Sequence, residues 1–189
     1  MRIGLTYDLR SWYLERGYTM DETAEFDKEE TVVALENELV RLGYETVRIG
    51  NIFQLVEKLA AGERWDMVFN IAEGLYGDGR ESVVPALLDQ YRIPYVFSGP
   101  VVMGVSLNKY LTRLVVAAAG VPVCPGMIAN SVRDLDHMTS LEFPLFVKPV
   151  AEGTGKGITT RSVVRDRESL VKLVSELLEA YNQPVLIEE

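Results

Sequence analysis

From residue 3 to residue 97 the chain alternates short apolar or β-branched runs with longer amphipathic stretches, and this order constrains the fold more than any other feature. Residues 3–7, 46–49, 67–71 and 95–97 read as strands. Residues 29–42 read as a helix with Val32, Leu35, Leu39 and Leu42 on one face, closed by Gly43. Phe53, Val56 and Ala60 mark a short second helix, and Val84, Leu87, Leu88 and Tyr91 a third that ends before Pro94. A βαβαβαβ order implies a parallel sheet with helices over its faces. Residues 8–28 show no period and are expected to form a long loop of the kind that is usually functional or mobile. The acidic residues within 21–30 are expected to be a solvated face.

Ser98-Gly99-Pro100 breaks the pattern and places a domain boundary there, giving domains 1–98 and 99–189. In the second, Leu111, Leu114, Val115 and Ala118 line a helix, and residues 126–129 form a strand. Leu170, Leu173, Val174, Leu177 and Leu178 form a strongly amphipathic helix with Asp166 as its N-cap, followed by a last strand at 185–187. The sequence stops in that strand at Glu188-Glu189, so a fragment lacking a longer C-terminal half is expected.

Between these elements lies Lys148-Pro149-Val150-Ala151-Glu152-Gly153-Thr154-Gly155-Lys156-Gly157-Ile158. An apolar run leads into a lysine, three glycines follow, and a β-branched run, 158–160, returns. This reads as a hairpin flap. Glycine lets backbone N–H groups approach an anion closely, and Lys148 adds a charge at the base. The ligand this suggests is a polyphosphate such as ATP, although glycine clusters also form ordinary turns. The P-loop pattern fails because Val150 and Gly157 stand at two of its fixed positions. The dinucleotide fingerprint fails because Gly74, Gly77 and Gly79 have the reversed spacing.

The net charge of −9, with no basic block, argues against nucleic acid as a partner. The single cysteine, Cys124, allows no intrachain disulfide and fits a reducing compartment. One histidine, His137, supplies neither a histidine-cluster metal site nor a Ser-His-Asp triad. The chain enters a strand at its N-terminus, so no leader is expected. The longest apolar run, 114–129, is broken by Gly120, Pro122, Pro125 and Gly126. A soluble cytoplasmic protein is therefore expected, without a membrane partner.

Further segments recur in a fixed order: Phe69-Asn70-Ile71-Ala72-Glu73-Gly74, Ile93-Pro94-Tyr95-Val96-Phe97-Ser98-Gly99, Leu107-Asn108-Lys109-Tyr110, Ala119-Gly120-Val121-Pro122, Phe143-Pro144-Leu145-Phe146-Val147-Lys148-Pro149 and Val185-Leu186-Ile187-Glu188-Glu189. In this order they resemble the ATP-grasp superfamily, and within it the D-alanine–D-alanine ligases and their close relatives. The likeness is strongest over roughly residues 65–189. It implies an α/β chain in which an N-terminal parallel-sheet pre-ATP-grasp domain precedes the first α+β lobe of an ATP-grasp domain, the second lobe being absent.

By this resemblance Lys109 and Lys148 match the two lysines that hold ATP phosphates. Glu152, Gly153, Gly155, Lys156 and Gly157 match the flap over them. Thr154 takes a position, usually serine, that organises the substrate end. Glu188 and Glu189 match the start of the hinge that receives adenine. Glu73 lies in the region facing the amino-acid substrate, with the usual acidic glycine pattern altered. The family's Mg²⁺ ligands are expected beyond Glu189, so no metal ligand is assigned. The first substrate loop also departs from the glycine- and serine-rich pattern, since Tyr7-Asp8-Leu9-Arg10-Ser11-Trp12-Tyr13 stands there.

The activity implied is an ATP-dependent carboxylate–amine ligase joining two amino acids through an acyl phosphate, as in peptidoglycan synthesis. Family members are often homodimers. The alternatives are an ATP-grasp ligase with another amino-acid or hydroxy-acid acceptor, and a non-catalytic small-molecule binding module. The 189 residues by themselves are expected to be inactive and to bind ATP weakly.

Overall fold

The computed structural model describes residues 1–189, which divide into two compact units, Met1–Gly104 and Val105–Glu189. The first contains β1 (Arg2–Thr6), α1 (Arg10–Leu14), α2 (Glu29–Arg41), β2 (Glu45–Gly50), α3 (Ile52–Ala60), β3 (Met67–Asn70) and α4 (Val83–Gln90). Helix α5 (Pro100–Leu107) carries the chain into the second, which contains α6 (Lys109–Ala118), β4 (Gly126–Ala129), β5 (Leu145–Pro149), β6 (Val163–Val164), α7 (Arg167–Tyr181) and β7 (Val185–Glu188). No single helix is long and apolar enough to cross a membrane.

The first unit is built on a parallel sheet of order β2-β1-β3, as the alternating pattern predicts. Strand periodicity assigns its two faces. Ile3, Leu5 and Tyr7 point to one side and are buried with Val32 and Leu39 of α2. Val68 and Ile49 belong to the other, buried with Leu55 and Leu59 of α3 and Val84 and Leu88 of α4. The expected fourth strand at 95–97 is a single parallel bridge, Val68 to Tyr95, held by the Val68 and Val96 amides. Pro94 supplies no N–H to extend it.

Residues 8–28 are not a plain loop. Helix α1 occupies 10–14, and the segment closes on itself where the Arg10 amide donates to Asp27 O and the Asp27 amide to Asp8 O, both at 2.9 Å. The Arg10 guanidinium donates to the carbonyls of Thr23 (3.0 Å), Ala24 (2.7 Å) and Phe26 (3.1 Å). One planar fork thus satisfies backbone acceptors that lack a ladder partner. Tyr13, packed on Phe26 with ring centroids 4.5 Å apart, fills the centre.

Helix α2 buries the face that the periodicity marked, through Val32 and Leu39, whereas α3 turns a different one inward. In α3 the buried residues are Leu55 and Leu59, while Phe53 and Val56 are 56% and 49% exposed. In α2, Leu42 ends the helix as an exposed cap residue.

The second unit is an antiparallel sheet of order β4-β7-β5-β6. Helix α7 lies across it through Leu170, Leu173, Val174 and Leu177, buried with Val147, Val185 and Ile187. Asp166 caps that helix, accepting from the Ser169 amide at 2.8 Å. Helix α6 forms where expected, yet Leu111, Leu114 and Val115 are exposed and none of its residues is buried.

The expected return strand at 158–160 is displaced. Thr159 caps a 3₁₀ turn over Thr160–Ser162, and the chain rejoins β5 only at β6, with Phe146 opposite Val163. The backbone before it turns: Thr154, Gly155 and Gly157 have φ of 50°, 74° and 77°, three left-handed values within four residues that interrupt a regular strand.

Candidate functional site

Strand register builds the cluster in the second unit. Phe146 stands opposite Glu188 in the β5–β7 pair, so Lys148, two residues on, is its diagonal neighbour on the same face. Lys148 Nζ donates to Glu188 Oε1, and its ammonium lies 5.3 Å from the Phe146 ring centroid. Leu145, Val147, Val185 and Ile187 take the other face and fill the core beneath α7.

Helix α6 adds two more cations, at i and i+4 on one face. Asn108 caps the helix, accepting from the Tyr110 and Leu111 amides. Lys109, its first residue, is tied to the glycine segment twice: its amide donates to Val150 O at 3.0 Å, and its Nζ donates to Glu152 O. Arg113, one turn later, donates from Nη2 to Cys124 O and places Nη1 3.8 Å from Glu188 Oε2. Arg113 Nη1 is buried without a hydrogen-bond partner.

The glycine segment folds over this base. Lys156 pairs with the Glu152 carboxylate at 3.1 Å. Gln183 accepts from the Ala151 amide at 2.8 Å and donates to Glu152 Oε1. The Lys156 and Ile158 amides close turns onto Gly153 O (2.9 Å) and Gly155 O (3.0 Å). A Cβ at Gly157 would lie 2.5 Å from Pro149 Cγ, so only glycine lets the flap return this close to β5. The structure therefore brings together Lys109, Lys148, Glu152, Gly153, Gly155, Lys156, Gly157 and Glu188.

Two predicted residues stand apart. Thr154 is exposed at the flap tip. Glu189 turns away: its amide donates to Pro125 O at 3.1 Å and its carboxylate accepts from the Glu142 amide at 3.0 Å. Sequence reasoning missed Arg113 and Gln183; the i, i+4 spacing from Lys109 was the available signal for the first.

The first unit holds its own cluster at the carboxyl end of its sheet. Asp8, just past β1 and 1% exposed, accepts from the Glu73 amide (3.0 Å), the Gly74 amide (2.8 Å) and the Tyr13 hydroxyl. That fixes the turn leaving β3. The Glu73 carboxyl is pushed up to about 7, chiefly by burial and then by the charges of Glu81 and Glu25. It lines a cavity of about 320 Å³ with Asp27, Thr31, Glu81, Phe97 and Met103 among its walls. Burial, then Asp8, also raises Asp27. Glu25 is not solvated as expected: it forms a 2.8 Å pair with Arg80, and both side chains are under a tenth exposed. No three or more His, Cys, Asp or Glu side chains come together as a metal site.

A parallel-sheet unit followed by an antiparallel unit with two lysines beneath a glycine flap is the architecture of a pre-ATP-grasp domain and the first lobe of an ATP-grasp domain. No family model matches the chain. It is 33% identical to the D-alanine–D-alanine ligase of Glaesserella parasuis over 154 residues, 80% of this chain and 48% of the relative. It is 34% identical to that of Methylobacterium radiotolerans over 136 residues, 72% of this chain and 41% of the relative. The D-alanine–D-alanine ligase of Bacillus anthracis superposes with a TM-score of 0.69 at 20% identity, covering 100% of this chain and 57% of that one. The VanG D-Ala:D-Ser ligase of Enterococcus faecalis gives 0.71 at 17% identity, with 100% and 62% covered. The chain is an ATP-grasp protein related to the D-alanine–D-alanine ligases, and it spans about half the length of the curated relatives it matches.

Proposed function

We propose that these residues are the substrate unit and the first nucleotide-binding lobe of an ATP-dependent carboxylate–amine ligase acting on amino acids. The observation that carries this reading is the cationic base beneath the flap. Lys148 and Arg113 share the Glu188 carboxylate, Lys156 pairs with that of Glu152, Lys109 reaches the Glu152 carbonyl, and the buried Arg113 Nη1 has no hydrogen-bond acceptor. Phosphate oxygens are the acceptors such a donor set suits. A second B. anthracis ligase structure, described as complexed with ATP, shares the fold at a TM-score of 0.65.

Joining a carboxylate to an amine through an acyl phosphate needs no protein nucleophile. It needs charge neutralisation, alignment and exclusion of water. Lys109 and Lys148 would neutralise phosphate charge, and the flap at 152–157 would cover it. Glu188, beside Lys148 at the strand end, would orient the nucleotide. In the first unit Glu73 would receive an ammonium group. A cation arriving there lowers the carboxyl's pKa from about 7, so amine binding releases a proton between roughly pH 5 and 7. The heat of binding at pH 6 should then depend on the buffer's ionisation enthalpy.

The direct test is Lys148→Ala in the product of the complete reading frame. ADP release should fall at least a hundredfold while the fold, read by circular dichroism, is kept; unchanged turnover would remove the phosphate role. An acceptor other than D-alanine is the second reading. The altered segment after β1, where Tyr7-Asp8-Leu9-Arg10-Ser11-Trp12-Tyr13 stands, favours it.

A further inference from the structure

In the sheet order β2-β1-β3 the chain leaves β1 toward one edge and then crosses to the other. The crevice at the carboxyl ends of β1 and β3 is the switch point at which open α/β sheets take ligands. Two cavities meet there, with Ala72 in the wall of each. One is the acidic cavity of Glu73. The other, about 250 Å³, is walled by Ile52, Phe53, Leu75, Tyr76 and Val83.

We propose that the amino acid held by this unit carries an apolar side chain larger than the methyl group of alanine, seated against Phe53, Tyr76 and Val83. The proposal rests on the ligase reading for the ammonium end of the substrate.

Three observations carry it. The first is size: a methyl group occupies little more than the share of one water, about 30 Å³, and leaves most of this cavity unfilled. The second is the character of the wall. Phe53 and Tyr76 are 56% and 69% exposed at its mouth, although α3 buries Leu55 and Leu59 on its other side. The Tyr76 ring is anchored through its hydroxyl, 3.2 Å from that of Tyr18. The third is that the charged groups in the wall are engaged. Asp8 accepts from the Glu73 and Gly74 amides and from Tyr13, and Arg80 is paired with Glu25. A polar substituent entering here finds few partners, whereas an apolar one removes open aromatic surface from water. Each further buried methylene should tighten binding about fourfold.

The experiment is calorimetry on this chain with alanine, leucine and phenylalanine, each as D and L. A leucine or phenylalanine enantiomer should bind at least tenfold more tightly than either alanine. Val83→Trp, which fills the cavity from a half-exposed helix position, should bring that ratio near one. Alanine binding as tightly as the larger residues, or a preference that survives Val83→Trp, overturns the proposal. A second measurement separates the pocket from the ligase reading: amide chemical shifts on adding 3-phenylpropionate, which has the apolar group and no amine. Shifts at Gly74, Tyr76 and Val83 support the apolar pocket, even if no amino acid binds and the ligase reading falls. No shift at those amides overturns the pocket itself.

Discussion

Glu73 keeps its proton to about pH 7 in the folded chain, whereas the unfolded side chain ionises near 4.5. Between those values the folded state binds the extra proton, so its stability falls as pH rises through this window and levels off above it. Glu73→Gln removes the ionisable group. The variant should show a weaker loss of stability between pH 5 and 7 and gain about 1–3 kcal/mol at pH 8, the full shift being reduced by partial solvent access. Urea unfolding at pH 5 and at pH 8 checks this, and an equal effect of the substitution at both would contradict it. Asn51 acts locally instead. It accepts from the Gln54 amide at 3.2 Å and its own amide donates to Gln54 Oε1 at 3.0 Å, a reciprocal cap buried at the start of α3. Asn51→Ala should cost about 1–2 kcal/mol in the same assay.

Helices α6 and α7 look alike in the sequence, each with leucines at helical spacing, yet only α7 is a core element. Leu170→Ala should cost about 2–5 kcal/mol, because the side chain is fully buried against the sheet. Leu111→Ala, on the exposed face of α6, should cost less than about 0.5 kcal/mol. Periodicity identifies such helices and their caps, as Asp166 shows, but leaves the inward face open when apolar residues surround the axis. In α3, Ile52, Phe53, Leu55, Val56 and Leu59 offer more than one face, and the approach of Trp65 and Val84 selects Leu55 and Leu59. The parallel sheet was legible because strands and helices alternate locally. The closure of 8–28 was not, because it depends on one guanidinium reaching three carbonyls 13 to 16 residues away. The same holds at the site: Lys109, Lys148 and the glycine flap stand out along the chain. The Glu25–Arg80 pair joins residues 55 apart, and a lone carboxylate between Ala24 and Phe26 is its only local sign.

Each unit has its own buried cores and its own cluster of charged groups, one anionic around Glu73 and one cationic around Lys148. In a chain with a net charge of −9, cations concentrated beneath one flap suit a local anion better than a polyanionic surface. The central claim is that nucleotide use depends on an amino acid. The measurement that tests it most directly is ADP release by the product of the complete reading frame, with ATP and Mg²⁺, across a panel of D- and L-amino acids. The account predicts release that requires at least one amino acid and that is lost with Lys148→Ala. ADP release indifferent to every amino acid, or none under any of these conditions, would contradict it.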